Sequence, residues 1–194
     1  MNSLDIRLFH LINDWASRFN LLDQTGIFFA ETTPYVLAAF LTFRWFWNRN
    51  FPEKRMTLII AGMTFGLSEA VAKLLGLCYY HVQPFVTLEV NQLIAKEVNN
   101  SFPSDHTILV FSFLFVLFLS RQSTSRWLYL GWAILASTAR IFVGVHYPSD
   151  VLMAALIASL IGSVSYYFLR RANWLKAFVH WISSMEKRLL HRRA

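Results

Sequence analysis

The chain has a single cysteine, Cys78, so no intrachain disulfide can form and no metal site can be built on paired thiolates. Acidic residues are also in deficit: 11 Asp and Glu stand against 18 Lys and Arg, a net charge of +7. That excess does not make a nucleic-acid surface, because the basic residues are not gathered into a patch interleaved with aromatic side chains. There is no nucleotide-binding motif, no internal repeat and no low-complexity tract. Residues 1–19 lack the basic start, unbroken apolar run and small-residue cleavage site of a secretory signal, so the first apolar span is expected to act as the insertion signal.

What the chain has instead is apolar sequence in runs. Hydrophobic residues make up 56% of its 194 positions and its mean hydropathy is positive, which places it in the membrane class. Stretches at about 26–47, 56–80, 104–120, 127–145 and 149–169 approach or reach the roughly 20 residues that a helix needs to cross a bilayer, the third being short. The expected fold is therefore all-α, a polytopic bundle of about five transmembrane helices. It forms one domain over 1–194, with an interfacial helix at 1–20, a transmembrane core at 21–170 and a basic helix and tail at 171–194.

The basic residues separate by loop. Arg44, Arg49, Lys54 and Arg55 lie between the first two spans, Arg121 and Arg126 between the third and fourth, and Arg170, Arg171, Lys176, Lys187, Arg188, Arg192 and Arg193 after the fifth. The positive-inside bias makes these segments, and the C-terminus, cytoplasmic. The loop after Tyr80 and the turn near His146 then face the outside.

Residues 2–19 set Leu4, Leu8, Leu11, Ile12 and Trp15 at helical spacing, which predicts a helix lying on the outer leaflet as a simple anchor. Residues 173–191, with Trp174, Phe178, Trp181 and Ile182 against Lys176 and Lys187, predict a similar helix resting on the anionic inner surface. The connection from Tyr80 to Ser101 is the only long one, and its length is that of a lid or substrate-access loop.

Two polar segments interrupt the apolar chain, at 101–106 and 140–150, and ionisable side chains at that depth are usually retained for a task. Pro103 and Pro148 both suit a first helical turn, so each segment is expected to lead into a helix whose free N–H groups attract an anion, phosphate in particular. Arg140 adds a planar fork that matches phosphate oxygens, and Ser104 adds a hydroxyl donor. Asp150 is close enough in sequence to bond one ring nitrogen of His146 and leave the other basic, which makes His146 the candidate nucleophile. His106 can protonate a departing oxygen, and Gly144 lets the backbone approach a ligand.

Pro103-Ser104-Asp105-His106, followed by Arg140, His146 and Asp150, resembles the second and third signature motifs of the type-2 phosphatidic acid phosphatases. Aspartate at 105, where most members have glycine, and the short chain are similar to the BcrC-type undecaprenyl-diphosphatases linked to bacitracin resistance. The resemblance covers about residues 20–170. It implies a metal-independent, cofactor-free phosphatase with a covalent phosphohistidine at His146. It also implies a polyprenyl diphosphate substrate, undecaprenyl diphosphate, within the lipids of a bacterial plasma membrane, whose hydrolysis recycles the cell-wall lipid carrier. The first motif departs from the pattern, with Gln83 before Pro84 in place of arginine and Gly76 in place of lysine; Lys73 or His81 would then supply the charge, with Gln83 as a neutral donor.

Other readings stand beside these. Asp105 favours a helix start and caps it equally well, and Glu69 with Lys73 fits a mutually neutralising pair on one helix face. The same motifs suit a phosphatidylglycerophosphate or phosphatidate phosphatase. In another class, the chain could be a transporter component or a non-catalytic lipid-diphosphate binder, although its polar residues gather on one side rather than at the midplane.

Overall fold

The computed structural model describes residues 3–120 and 124–191, so Arg121, Arg192 and Arg193, used above for orientation, lie outside the described residues. Among the described residues the regular structure is helical, apart from an isolated bridge between Val82 and Asn100. Helix α1 is Ser3–Asn13. Helices α2 (Asn20–Ile27) and α3 (Thr33–Trp47) run into one another through a π turn at Phe28–Thr32. Then come α4 (Pro52–Cys78), the short α5 (Pro84–Thr87), α6 (Asp105–Ser120), α7 (Arg126–Phe142), α8 (Pro148–Leu169) and α9 (Asn173–His191).

Three helical stretches are long and apolar enough to cross a membrane: Asn20–Trp47, Pro52–Cys78 and Pro148–Leu169. Helix α6 is apolar but has 16 residues, roughly 24 Å at 1.5 Å per residue, against a hydrocarbon core of about 30 Å. Its packing explains why it need not present a lipid face. It is apolar all round and lies against α4, α7 and α8, burying Ile108, Val110, Leu114 and Leu117. Alanines 133, 136 and 158 on α7 and α8 complete that core, and small side chains let helices approach closely. The outward faces carry Leu21, Leu77, Leu128, Leu160 and Phe168, all well exposed and suited to lipid.

Both terminal helices do more than the anchoring expected of them. Leu4, Leu8 and Leu11 of α1, and Trp15 in the turn after it, are exposed, as a lipid-facing stripe would be. The opposite face of α1 docks on the protein. Phe9 is fully buried against Ile141, Tyr147 and Val151, and Asp5 accepts hydrogen bonds from the Ser149 amide (2.9 Å) and hydroxyl (2.6 Å) at the start of α8. Asn13, also fully buried, donates to the Phe142 carbonyl at 2.8 Å. In α9, Leu175 and Val179 pack on Met56 and Ile60 of α4. Arg55, wholly buried, bonds the Trp45 carbonyl at 3.1 Å and pairs with Glu186 of α9.

The prolines do not act alike. Pro148 opens α8, where its missing N–H is harmless. Pro103 lies before α6, which begins at Asp105, so Pro103 and Ser104 of the second motif belong to the loop.

Candidate active site

The short turn between α7 and α8 places His146, and the segment before α6 comes to it. His146 is nearly inaccessible. Its Nδ1 lies 3.0 Å from the Ser101 carbonyl, which can only accept, so Nδ1 carries the proton and Nε2 keeps the lone pair. Burial pushes this imidazole down to about 4, with Lys96 and Arg140 adding to the shift and Asp150 opposing it. The ring is thus held neutral, in the tautomer that a nucleophile requires.

Asp150 does not bond that ring directly: its nearest oxygen is 3.8 Å from Nδ1. The expectation of a direct pair fails because Ser101 stands between them, donating its hydroxyl to Asp150 at 2.6 Å while that oxygen lies 3.1 Å from Nδ1. Asp150 also accepts the Tyr147 amide at 2.9 Å, closing the first turn of α8, and the Nδ1–H of His81 at 2.8 Å. The bond to Asp150 raises the His81 imidazole above its ordinary value. His81 stacks on Tyr147 with ring centroids 4.6 Å apart. It therefore supports the carboxylate through Nδ1, a different task from the phosphate contact expected.

Arg140, near the end of α7, is buried and fixed at one end. Pro34 has no N–H to give the carbonyl four residues back, the helix widens there into its π turn, and that Ala30 carbonyl accepts Arg140 Nη1 at 3.0 Å. Its Nε is buried without a partner. Ser104, also buried, accepts the Thr107 hydroxyl at 3.2 Å and keeps its own proton to donate. His106, one residue into α6, has Arg140 and Lys96 as cationic neighbours and lines a cleft of about 390 Å³ with Glu31, Pro34, Phe65, Asp105 and Leu109.

The first-motif substitutes lie elsewhere. Lys73 is on the exposed rim, 3.1 Å from both oxygens of Asp105 and 3.2 Å from Glu69. Asp105 is accordingly both a helix-start residue and an ion-pair partner. Gln83 is fully buried and spent on its own loop: its amide donates to Asn99 and the Glu97 carbonyl, and its oxygen accepts the Asn99 amide at 3.1 Å. Gly144 also differs from expectation. Its N–H goes to the Ile141 carbonyl, its φ of +85° needs glycine, and a side chain there would come within 3.1 Å of the Asn91 carbonyl. Gly144 makes room for the loop rather than for a ligand.

That loop, 79–104, is a strap rather than an open lid. Asn91 bonds Asn13 through side chain and backbone, Leu93 N–H bonds the Val143 carbonyl at 3.2 Å, and Thr87 and Tyr147 share a hydroxyl bond of 2.8 Å. Folding back in this way, the strap delivers Lys96, whose Nζ is 2.8 Å from His146 Nε2. Ser101 and Lys96 are the two residues at the site that sequence reasoning missed. The strap's length was the one available signal.

This arrangement, a buried neutral histidine facing a half-tethered arginine, a serine hydroxyl and a second histidine, defines an anion site fit for phosphoryl transfer. Residues 57–174 match the PAP2 superfamily, and the chain belongs to it. It is 35% identical to the bacitracin transport permease protein BcrC of Bacillus licheniformis over 97% of this chain and 92% of that one. It is 27% identical to the undecaprenyl-diphosphatase BcrC of Bacillus subtilis, covering 97% and 95%. Among solved structures, LpxE of Aquifex aeolicus superposes with a TM-score of 0.72 at 31% identity, over 86% of this chain and 97% of that one.

Proposed function

We propose that this chain is an integral-membrane lipid diphosphatase that cleaves the terminal phosphate from undecaprenyl diphosphate through a phosphohistidine at His146. About five helices span the plasma membrane, with the site on the extracytoplasmic face and the C-terminus in the cytoplasm. The observation that carries this reading is the Ser101 carbonyl on His146 Nδ1, which leaves the ring's lone pair on Nε2, where an attacking nitrogen needs it.

In the first displacement Nε2 attacks the terminal phosphorus, and the bond to the bridging oxygen breaks with its electron pair leaving on undecaprenyl phosphate. Arg140, Ser104 and the amides at the start of α6 hold the equatorial oxygens, the electrostatic stabilisation that such a transition state needs. His106 protonates the leaving oxygen. In the second displacement His106 takes a proton from water, the water oxygen attacks phosphorus, and the P–N bond breaks to return the lone pair to Nε2. The cleft beside His106, with Pro34, Phe65 and Leu109 on its wall, offers the polyprenyl chain an apolar approach. Regenerating the monophosphate carrier would also deprive bacitracin of its diphosphate target.

The test is phosphate release from undecaprenyl diphosphate by purified protein in the presence of a chelator. Release by wild type and its loss in His146→Ala are expected. No release by wild type would remove the enzyme reading in favour of a lipid-diphosphate binder or transporter component, and equal release by both would remove the nucleophile assignment.

A further inference from the structure

Two cations are expected around a phosphoryl group that is attacked by a neutral imidazole, and Arg140 accounts for one. The usual source of the other is missing here. Gln83 is neutral and turned into the strap, and Lys73 is held on the rim by two carboxylates. Lys96 is where neither of them reaches. It lies outside every motif, yet its Nζ meets the lone pair of His146 Nε2 at 2.8 Å. Its position is built rather than incidental, since the Gln83–Asn99 bonds close the strap around it and the Leu93–Val143 bond pins the strap just before it.

We propose that Lys96 is a catalytic residue of this chain, an ammonium that hydrogen-bonds His146 Nε2 and moves onto a terminal phosphoryl oxygen when substrate binds. The inference rests on His146 being the nucleophile. In-line attack needs phosphorus about 3–3.5 Å from Nε2, in the space that Nζ now fills, so Nζ has to leave the nitrogen. An ammonium on a flexible four-carbon stem can make that short transfer while keeping its charge inside the site. It thereby exchanges a neutral acceptor for an anionic one, a stronger hydrogen bond. Burial, with Arg140 nearby, pushes the Lys96 amine down to about 8, so the free enzyme loses this proton at mildly alkaline pH, and a phosphate dianion would draw it back.

The experiment compares Lys96→Met, Lys96→Arg and His146→Ala with wild type on undecaprenyl diphosphate, following kcat, KM, the pH profile of kcat/KM and thermal unfolding. Lys96→Met is expected to stay folded and lose about 100-fold or more in kcat/KM, the scale of removing one transition-state donor. Lys96→Arg is expected to recover to within about tenfold of wild type and to move the alkaline limb near pH 8 upward, because guanidinium keeps its proton. Lys96→Met within about threefold of wild type, with His146→Ala inactive, would overturn the proposal and leave the nucleophile assignment intact. So would an alkaline limb unmoved in Lys96→Arg, or activity and folding lost together in both Lys96 variants. A wild type that releases no phosphate would instead bring down the enzyme reading itself.

Discussion

His146 and Asp150 stand one helical turn apart in sequence and do not bond; Ser101 occupies the gap, with its carbonyl on the imidazole Nδ1 and its hydroxyl on the carboxylate. The carboxylate therefore acts mainly on architecture. It gathers Ser101 from the strap, the Tyr147 amide just before α8 and His81 from the strap's start, so that the backbone carbonyl of Ser101 sits where the ring needs it.

Removing the hydroxyl should therefore cost less than removing the carboxylate. Ser101→Ala keeps the carbonyl that fixes the tautomer, and kcat is expected to fall about tenfold with little change in KM, on the scale of one hydrogen bond to a carboxylate. Asp150→Ala strands three buried donors, each worth about 1–3 kcal/mol, and is expected to lose both activity and thermal stability. Steady-state kinetics beside thermal unfolding of the two variants would separate the cases; equal losses in both measurements would contradict the division.

The nucleophile should remain usable in mild acid. An attacking imidazole must be neutral, and burial holds His146 near 4 rather than at its ordinary value, so it stays unprotonated as pH falls toward about 5. The profile of kcat/KM reports groups of the free enzyme. It should show no acid limb near pH 6.5 attributable to this residue once the ionisation of substrate is accounted for.

Loss of His106 should be milder than loss of His146 on a diphosphate. The leaving group there is a phosphate, which departs more readily unprotonated than a lipid alkoxide. His106→Ala is expected to retain about 1% of wild-type kcat, as for removal of a general acid, while His146→Ala retains no measurable turnover. Equal losses with the fold intact would count against that ordering.

Aspartate at 105 holds Lys73 on the rim. Both side chains are largely exposed, so Asp105→Gly should change stability by no more than about 1 kcal/mol. Freed from one of its two carboxylates, Lys73 can turn toward an incoming diphosphate, and KM is expected to fall by roughly threefold, as for an exposed charge pair. Measuring KM on diphosphate and monophosphate would reveal whether residue 105 sets the choice between them.

The N-terminal helix should prove sensitive on one face only. Asn13→Ala leaves the buried Phe142 carbonyl and the Asn91 backbone without their partner, at a cost of about 2–4 kcal/mol. Leu11→Ala, on the exposed stripe, should stay within about 0.5 kcal/mol. Thermal unfolding of the purified protein in detergent checks both.

Much of the fold was legible because apolar runs and prolines act locally. Helices α4, α6, α7 and α8 coincide in sequence with four of the expected apolar stretches to within a few residues, and the first stretch differs because its helix extends back through the polar residues Asn20, Asp23 and Gln24. The structure also draws together His146, Arg140 and His106, which the paired motifs single out by residue type and spacing, and ties Ser104 to the start of α8 through its amide on the Asp150 carbonyl. Lys96 and Ser101 were not legible. Their roles depend on the strap folding back on Asn13 and Val143, and a segment of scattered aliphatic and amide residues has no period to show that. Asp5 and Asn13 were hidden for a related reason: a polar residue off an apolar stripe reads as facing water, whereas here it faces another helix.

The docking of α1 also imposes an order of assembly. Asn13 waits for Phe142, 129 residues further on, and Asp5 for Ser149, 144 residues on. During synthesis α1 must keep its polar face open while the intervening helices insert, and the turn bearing His146 gains its outer brace only when α7 and α8 are both in place. Contacts this distant in sequence form late. An incompletely inserted chain would therefore hold every motif residue and still lack the brace on the turn that bears His146, so that activity of the proposed site is expected only once the bundle is whole.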